Sequence, residues 1–378
     1  MNGARTTGDV AIVGAGLIGL SIAFELASRG AIVRVYDAGE PAHGASWAGA
    51  GMLAPLTETI VDDDLRQLCE ASLRAYPDFT QAVIAASGID PHLRLNGLTY
   101  AAFEATAFDD LRMRAESLQR RGFDVRLLDH REAIEFEPVL GKRIIGALLM
   151  EDEGHIDNRR LGRALLAACA AFGVTVHSGA GRVVVKHDER KALGIATDDG
   201  FFAAGAVINA AGAWAARVAD LPANCIPDVF PIKGQMLALG APAALIRHPI
   251  WVSNAYLVPR EDGRLLVGAT VEDCGFDNRV TASGILALLD AVLKALPALK
   301  DFAITETWAG LRPGTPDGKP FIGATPLERY FVATGHFRNG ILLAPITARL
   351  IADALEGRAD ETLRLFTLER ALPEHVHA

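Results

Sequence analysis

Two arginines near the carboxyl end are the residues best placed to do chemistry. Arg312 lies in WAGLRPGTPDGKPFIG, Trp308 to Gly323, and Arg338 in GHFRNGILLAP, Gly335 to Pro345. A fixed guanidinium grips a planar carboxylate through two parallel charge-assisted hydrogen bonds, and flanking glycines let backbone approach a bulky cofactor. Both blocks read as Gly/Pro-rich loops, and the second runs into an apolar helical pattern from Gly340 to Leu355. Free N–H groups of Gly340, Ile341 and Leu342 at the start of that helix would stabilise negative charge on a ligand. His336 beside them reads as a structural or cofactor-edge hydrogen bond, because no partner that would make it an acid or base is visible in the sequence. Either block alone is also what a surface arginine beside a turn looks like.

A cofactor needs elements to hold it, and the amino-terminal stretch supplies them. Val10 to Val13 is a short apolar run suited to a buried parallel strand. It is followed by Gly14-Ala15-Gly16-Leu17-Ile18-Gly19 and a helix from Leu17 to Arg29. Ala31 to Tyr36 reads as the second strand, with Asp37 at its carboxyl end. The order strand, GxGxxG turn, helix, strand, acid is a dinucleotide signature. Gly14 permits the tight turn, Gly16 lets the N–H groups around Leu17 and Ile18 reach a pyrophosphate, Gly19 allows close helix-to-strand packing, and Asp37 accepts from a ribose. This motif serves NAD and FAD alike. The following stretch, His43 to Pro55, is rich in small residues, as though backbone lay flat against a large planar ligand; Ser46 is placed to hydrogen-bond a pyrophosphate or ribityl chain, which favours FAD. Trp47, Met52 and Leu53 are poor residues for a flexible linker.

The chain has 378 residues, half of them hydrophobic, with 37 Lys+Arg against 46 Asp+Glu for a net charge of −9. That length accommodates two domains or one large α/β unit. The acidic balance argues against a broad nucleic-acid or anionic-membrane surface. Cys69, Cys169, Cys225 and Cys274 are scattered, without CxxC pairing or histidines at metal-ligand spacing, and read as buried free thiols in a reducing compartment; no metal site is expected. Glycines and Glu25 interrupt Val10 to Leu26, so it reads neither as a signal nor as a membrane span. The chain therefore reads as cytoplasmic, with Met1 to Gly8 a frayed tail.

With these features in hand, the chain resembles the flavin-dependent D-amino-acid oxidase superfamily over nearly its whole length, and within it the glycine oxidases. The resemblance is carried by GAGLIGLSIAFELASRG, ASWAGAGMLAP, VINAAGAWA at Val207 to Ala215, YLVPREDGRLLVGAT at Tyr256 to Thr270, and the two carboxyl-terminal blocks. It implies an α/β fold with a discontinuous Rossmann-type FAD-binding domain, 1–90, 151–222 and 306–378. A mostly antiparallel β-sheet substrate domain, 91–150 and 223–305, is inserted between those stretches. It also implies that Arg312 clamps a substrate carboxylate, that Tyr256 donates to the same group, and that Arg338 is a second arginine near the flavin edge or substrate. Further FAD contacts implied are Ala45, Ala50, Gly51 and Met52 in the small-residue segment, Val183, Ala211, Gly212 and Trp214 in the middle, and Gly310, His336, Arg338 and Asn339 near the end. Met52, Asn254 and Val271 are candidate pocket walls. Covalent flavin attachment, as in the related sarcosine oxidases, needs a cysteine near Leu311-Arg312-Pro313; none is there, so the FAD should be noncovalent.

The implied activity is oxidation of a small amino acid, glycine first and then sarcosine or small D-amino acids, to the oxo acid, ammonia and hydrogen peroxide. In the family it often feeds thiamine thiazole synthesis, and the resemblance hints at a homotetramer. Two alternatives stay open: a D-amino-acid dehydrogenase that passes electrons to a quinone or carrier, and a flavoprotein subunit active only in a hetero-oligomer. Related enzymes acting on a tRNA nucleoside are disfavoured by the charge of −9. Periodicity predicts helices over Asp62 to Ala86, with the acidic trio Asp62-Asp63-Asp64 at its start, and over Ala107 to Arg121, Asn158 to Phe172 and Ser283 to Leu296. It predicts strands including Gly181 to Lys186, returning to the nucleotide sheet, Phe201 to Asn209, Val229 to Leu239 and Tyr256 to Pro259.

Overall fold

Strand Val10–Val13 divides its side chains between two cores. Val10 and Ile12 join one apolar cluster, Ala11 and Val13 another, as a strand buried on both faces must. It lies inside a six-stranded sheet ordered Phe321–Ala324, Tyr330–Thr334, Ala206–Asn209, Val10–Val13, Val33–Tyr36, Thr175–His177. All neighbours run parallel except the Phe321–Ala324 edge. Helices Leu17–Ser28, Asp64–Ser87, Asn158–Ala171 and Ala344–Leu355 share the first core. The second core is closed by a small antiparallel sheet, Val184–His187, Ala192–Thr197 and Gly200–Ala203. This is a computed structural model, and it describes residues 9–58, 63–242, 245–358 and 361–371. The tail Met1 to Gly8 and Asp62 lie outside the described residues, while Asp63 caps its helix by accepting the Arg66 N–H.

The second sheet has eight strands, ordered Ile304–Gly314, Phe230–Gly240, Arg264–Gly268, Ala255–Pro259, Ile250–Val252, Leu98–Ala102, Gly146–Met150, Val125–Leu128. Its pairs are antiparallel apart from Ile250–Val252 with Leu98–Ala102. Helix Ala282–Ala295 covers one face through Leu288 and Val292. Of the opposite face, part packs on helix Ala105–Arg120, and part turns Met236, Tyr256 and Trp308 toward Ala48 and Ala50 of the amino-terminal unit.

Several sequence expectations are corrected. Arg312 is not in a loop: Ile304–Gly314 is an edge strand paired along its length with Phe230–Gly240, so 306–314 belongs to the eight-stranded sheet and not to the cofactor-binding stretches. Pro313 is compatible with this because an edge strand has N–H positions that no ladder requires. The strand after Gly181 joins the small antiparallel sheet instead of the nucleotide sheet. The run Phe201 to Asn209 is two strands: its first part pairs with Ala192–Thr197, and the chain then crosses at Ala204-Gly205 to pair with Val10–Val13. The last helix begins at Ala344, where Pro345 favours a first turn, after a short 3-10 turn at Phe337–Asn339. Cys274 is exposed in the connection after Gly268, whereas the other three cysteines are buried.

A Cβ on Gly19 would stand 2.0 Å from the Gly14 carbonyl oxygen, and both are backbone in the turn that opens the first helix. Gly19→Ala is therefore expected to cost about 1–3 kcal/mol, checked as a lowered denaturant midpoint; an unchanged midpoint would mean that the turn can move.

Candidate active site

A cavity of about 660 Å³ runs from the carboxyl ends of Val10–Val13 and Val33–Tyr36 to the face of the eight-stranded sheet. At the first end, Gly14 takes a φ of +103°, and a Cβ there would lie 2.4 Å from the Ala210 carbonyl oxygen, so only glycine fits. Asp37 accepts the N–H groups of Ala15 at 2.7 Å and Gly39 at 2.8 Å. These bonds aim its carboxylate and leave further lone pairs for a ligand. The Leu17 N–H, expected to face a phosphate, instead donates to Ser46 Oγ at 2.9 Å, which ties the small-residue segment to the helix start. Gly16, Leu17, Ile18, Asp37, Val183, Ala211, Gly212 and Trp214 line the cavity. Gly19 lies behind the turn.

The small-residue segment is not flat backbone throughout. Gly44–Ala48 is a short helix, and Met52–Leu53 is a strand paired with Gly154–His155. Its carbonyls are tied from outside the cavity. Asn158 Nδ2 donates to Ser46 O at 2.7 Å and Trp47 O at 3.1 Å, Trp308 Nε1 donates to Ala48 O at 2.9 Å, and buried Arg260 donates to Ala50 O at 2.7 Å and to Asn158 Oδ1 at 3.0 Å. Arg159 stacks 3.5 Å from the Trp47 ring centre and grips Glu306 with both terminal nitrogens. With its carbonyls so engaged, the segment presents Ala45, Ser46, Ala50, Gly51 and Met52 to the cavity. Sequence reading missed Asn158, Arg159 and Arg260 because their partners lie far along the chain.

At the other end, alternation along Ile304–Gly314 puts Trp308, Gly310 and Arg312 on one face. Trp308 bonds the small-residue segment, Gly310 lets Ala48 approach, and Arg312 reaches the cavity. The Arg312 guanidinium is held by carbonyls, donating to Thr270 O at 3.1 Å and Lys233 O at 3.4 Å. It also lies across Gly234 of the neighbouring strand, where a Cβ would stand 2.3 Å from a terminal nitrogen. Tyr256 occupies space opened in the same way by Gly268, opposite it in register. Neither glycine was singled out by sequence, because each matters only through strand register.

The remaining expected residues divide. Arg338, His336, Gly340 and Ile341 line the cavity; Asn339 and Leu342 turn away from it, Leu342 into the helical core. The Gly340, Ile341 and Leu342 N–H groups have no acceptor among the described residues, even though the helix itself starts later. His336 is buried and bonded to Thr347 Oγ1 at 3.0 Å, and burial pushes it down to about 3, so it is neutral near pH 7. Asn254 and Val271 are exposed outside the cavity: Asn254 sits in the turn between Ile250–Val252 and Ala255–Pro259, and Val271 follows the end of its strand.

Glu58 is among the cavity residues that sequence reading missed. Glu58 ends the Pro55–Glu58 turn with its side chain 8% exposed, and its Oε2 is 3.6 Å from Arg338. Burial raises its carboxyl above the usual range, and Arg338 and Arg312 oppose that rise. Burial likewise raises the Tyr256 hydroxyl, keeping it a neutral donor, and works against the charge on Arg312. The turn is held by buried Glu153, which accepts the Leu56 and Thr57 N–H groups and the Thr57 hydroxyl. Burial pushes Glu153 up to about 7, against the pull of those donors and Arg114.

Residues 9–354 match the FAD dependent oxidoreductase family, DAO. The chain belongs to that family. FAD is accordingly its cofactor, and the cavity fits one: a dinucleotide turn at one end, the N–H groups of Gly340 and Ile341 without acceptors among the described residues at the other, and a lining of small side chains between them. The chain is 36% identical to the glycine oxidase of Geobacillus kaustophilus over 92% of this chain and 93% of that protein. The crystal structure of glycine oxidase from Geobacillus kaustophilus superposes with a TM-score of 0.91, covering 97% of this chain and 99% of that one at 35% identity. The bifunctional protein ThiO/ThiG of Synechocystis sp. is 36% identical over 97% of this chain, which spans 55% of that protein. The chain thus spans about half the length of such bifunctional relatives.

Two outcomes are expected of this family member. Gly234→Ala should displace the Arg312 guanidinium and weaken acetate binding at least about tenfold, while bound flavin keeps its absorbance; equal acetate affinity would show that the guanidinium does not need that surface. Glu153 is held protonated by the fold up to about 7 and by the unfolded chain only to its ordinary 4.5, so its contribution is lost as pH rises through that window. Between pH 4.5 and 8 the native protein should lose on the order of 3 kcal/mol relative to Glu153→Gln, measured by denaturant unfolding at both pH values. A difference that does not change with pH would mean that Glu153 is ionised throughout.

Proposed function

We propose that this chain is an FAD-dependent amine oxidase acting on glycine, with sarcosine and small D-amino acids as further substrates. The observation that carries the reading is a half-buried, carbonyl-anchored Arg312 beside Tyr256, facing a cavity that ends in a dinucleotide turn. Similarity to glycine oxidases along nearly the whole chain supports the choice of substrate. The overall conversion takes glycine, water and oxygen to glyoxylate, ammonia and hydrogen peroxide. When bound, FAD supplies the acceptor for the two electrons leaving the substrate carbon and returns them to oxygen.

The chain's own residues bind and orient. Arg312 takes the substrate carboxylate through two parallel hydrogen bonds and Tyr256 donates a third, which fixes the direction of the adjacent C–H bond. Carbonyl contacts on Arg312 set its plane before substrate arrives, so little reorganisation accompanies binding. His336 contributes no proton near neutral pH and serves to brace the loop against Thr347. The N–H groups of Gly340, Ile341 and Leu342 would hold the electron-rich carbonyl edge of the flavin. None of the four cysteines lines the cavity, which supports noncovalent attachment. Free thiols suit a reducing, cytoplasmic setting. The reading extends to a homo-oligomer and, from the match to the ThiO/ThiG proteins, to supply of the imine for thiazole synthesis.

Purified, FAD-loaded protein should consume oxygen with glycine and release peroxide in equal amount. Flavin bleached by glycine without oxygen uptake would indicate a dehydrogenase, and an unbleached flavin would point to another amine. Arg312→Ala should weaken carboxylate binding roughly 100-fold with the flavin spectrum intact; unchanged affinity, read by flavin absorbance titration with acetate, would remove Arg312 from the site.

A further inference from the structure

Glu58 places a buried acid where a carboxylate-binding site would otherwise be purely cationic. Its Oε2 has no hydrogen-bond partner among the described residues, its side chain is more than nine-tenths buried, and it lines the same cavity as Arg312, Tyr256 and Arg338. An acceptor in that condition costs free energy unless a donor arrives to satisfy it. The position is imposed and not accidental. Glu153 holds the two preceding N–H groups, and Arg114 donates to Leu56 O, so the turn carrying Glu58 is anchored on both sides. The 3.6 Å separation from Arg338 is too long for a hydrogen bond but close enough for their charges to offset each other.

We propose that Glu58 determines the charge class of the substrate, receiving the amino group of a monocarboxylate amino acid and, by neutralising Arg338, excluding a second carboxylate. This deepens the reading of the chain as an amine oxidase and rests on it. Arg312 and Tyr256 take the negative end of the zwitterion, Glu58 the positive end, and the bond to be oxidised lies between two fixed charges. The ammonium proton passes from nitrogen to Glu58 Oε2, which leaves a neutral amine and a neutral carboxylic acid. Raised by burial, the Glu58 carboxyl is a better proton acceptor than an exposed one. Without Glu58, both guanidiniums would face the cavity uncompensated, and the site would suit a dicarboxylate.

The test compares FAD-loaded wild type with Glu58→Gln, which keeps the shape, and Glu58→Asp, which keeps the charge on a shorter arm. Acetate and malonate affinities are read from flavin absorbance, and glycine affinity from the saturation of anaerobic flavin reduction. In Glu58→Gln, glycine should bind roughly tenfold or more weaker, acetate no weaker, and malonate roughly tenfold or more tighter; Glu58→Asp should lie between it and the wild type. Parallel loss of acetate and glycine would make Glu58 merely a support for Arg312, and unchanged glycine and malonate affinities would also overturn the proposal. If glycine fails to reduce even the wild type, the substrate assignment fails. The malonate comparison then still decides whether Glu58 sets the charge preference.

Discussion

The pairing of two long strands, Phe230–Gly240 and Ile304–Gly314, is the constraint on which the rest of the site depends. A strand exposes every second residue on one face, so a single segment delivers Trp308 to the carbonyl of Ala48, Gly310 to the close approach of the Gly44–Ala48 helix, and Arg312 to the cavity. Register places Gly234 beside the guanidinium, where any side chain would collide with it. A slip of one residue would turn all of these groups to the opposite face. The same ladder therefore fixes the distance between the glycine turn after Val13 and the Arg312 guanidinium, although they belong to different sheets.

Around this axis the protein spends buried polar groups on rigidity. Arg260 and Asn158 are both buried, and together they hold Ser46, Trp47 and Ala50 by their carbonyls. Ionised groups in such surroundings persist only when hydrogen-bonded, and truncating one partner leaves the others unsatisfied. Glu153 does the same for the turn that carries Glu58. Backbone around the cavity-facing small-residue segment is thus set by side chains outside the cavity, leaving its inner surface free for small residues with room for a large planar ligand.

What the sequence made legible was local. The GxGxxG turn with Asp37 is contiguous, so its placement at the carboxyl ends of two parallel strands could be read directly; Arg312, Tyr256 and Arg338 were carried by motifs and by resemblance, and all three line the cavity. What was not legible depended on register or on partners distant in the chain. Gly234 and Gly268 look like ordinary strand glycines until they are set opposite Arg312 and Tyr256. Glu58 ends a Pro-initiated turn and resembles a solvent-facing acid; only its place on a turn that Glu153 holds, beside Arg338, reveals its side chain as a buried one. Arg312 was read as a loop residue because Gly and Pro dominate its neighbourhood, a signal that an edge strand can carry as well. Asn254 and Val271 were misplaced for the converse reason, since adjacency in sequence to a site strand does not turn a side chain toward its cavity.

The central claim is that one cavity holds FAD at the nucleotide turn and a carboxylate at Arg312, in fixed relation to each other. A crystal structure of the FAD-loaded protein with acetate tests it most directly. Acetate oxygens are expected about 2.7–3.0 Å from the Arg312 guanidinium and within hydrogen-bond distance of the Tyr256 hydroxyl, with a flavin carbonyl on the amides of Gly340 to Leu342. Acetate bound elsewhere in the cavity, or a flavin turned away from those amides, would contradict it.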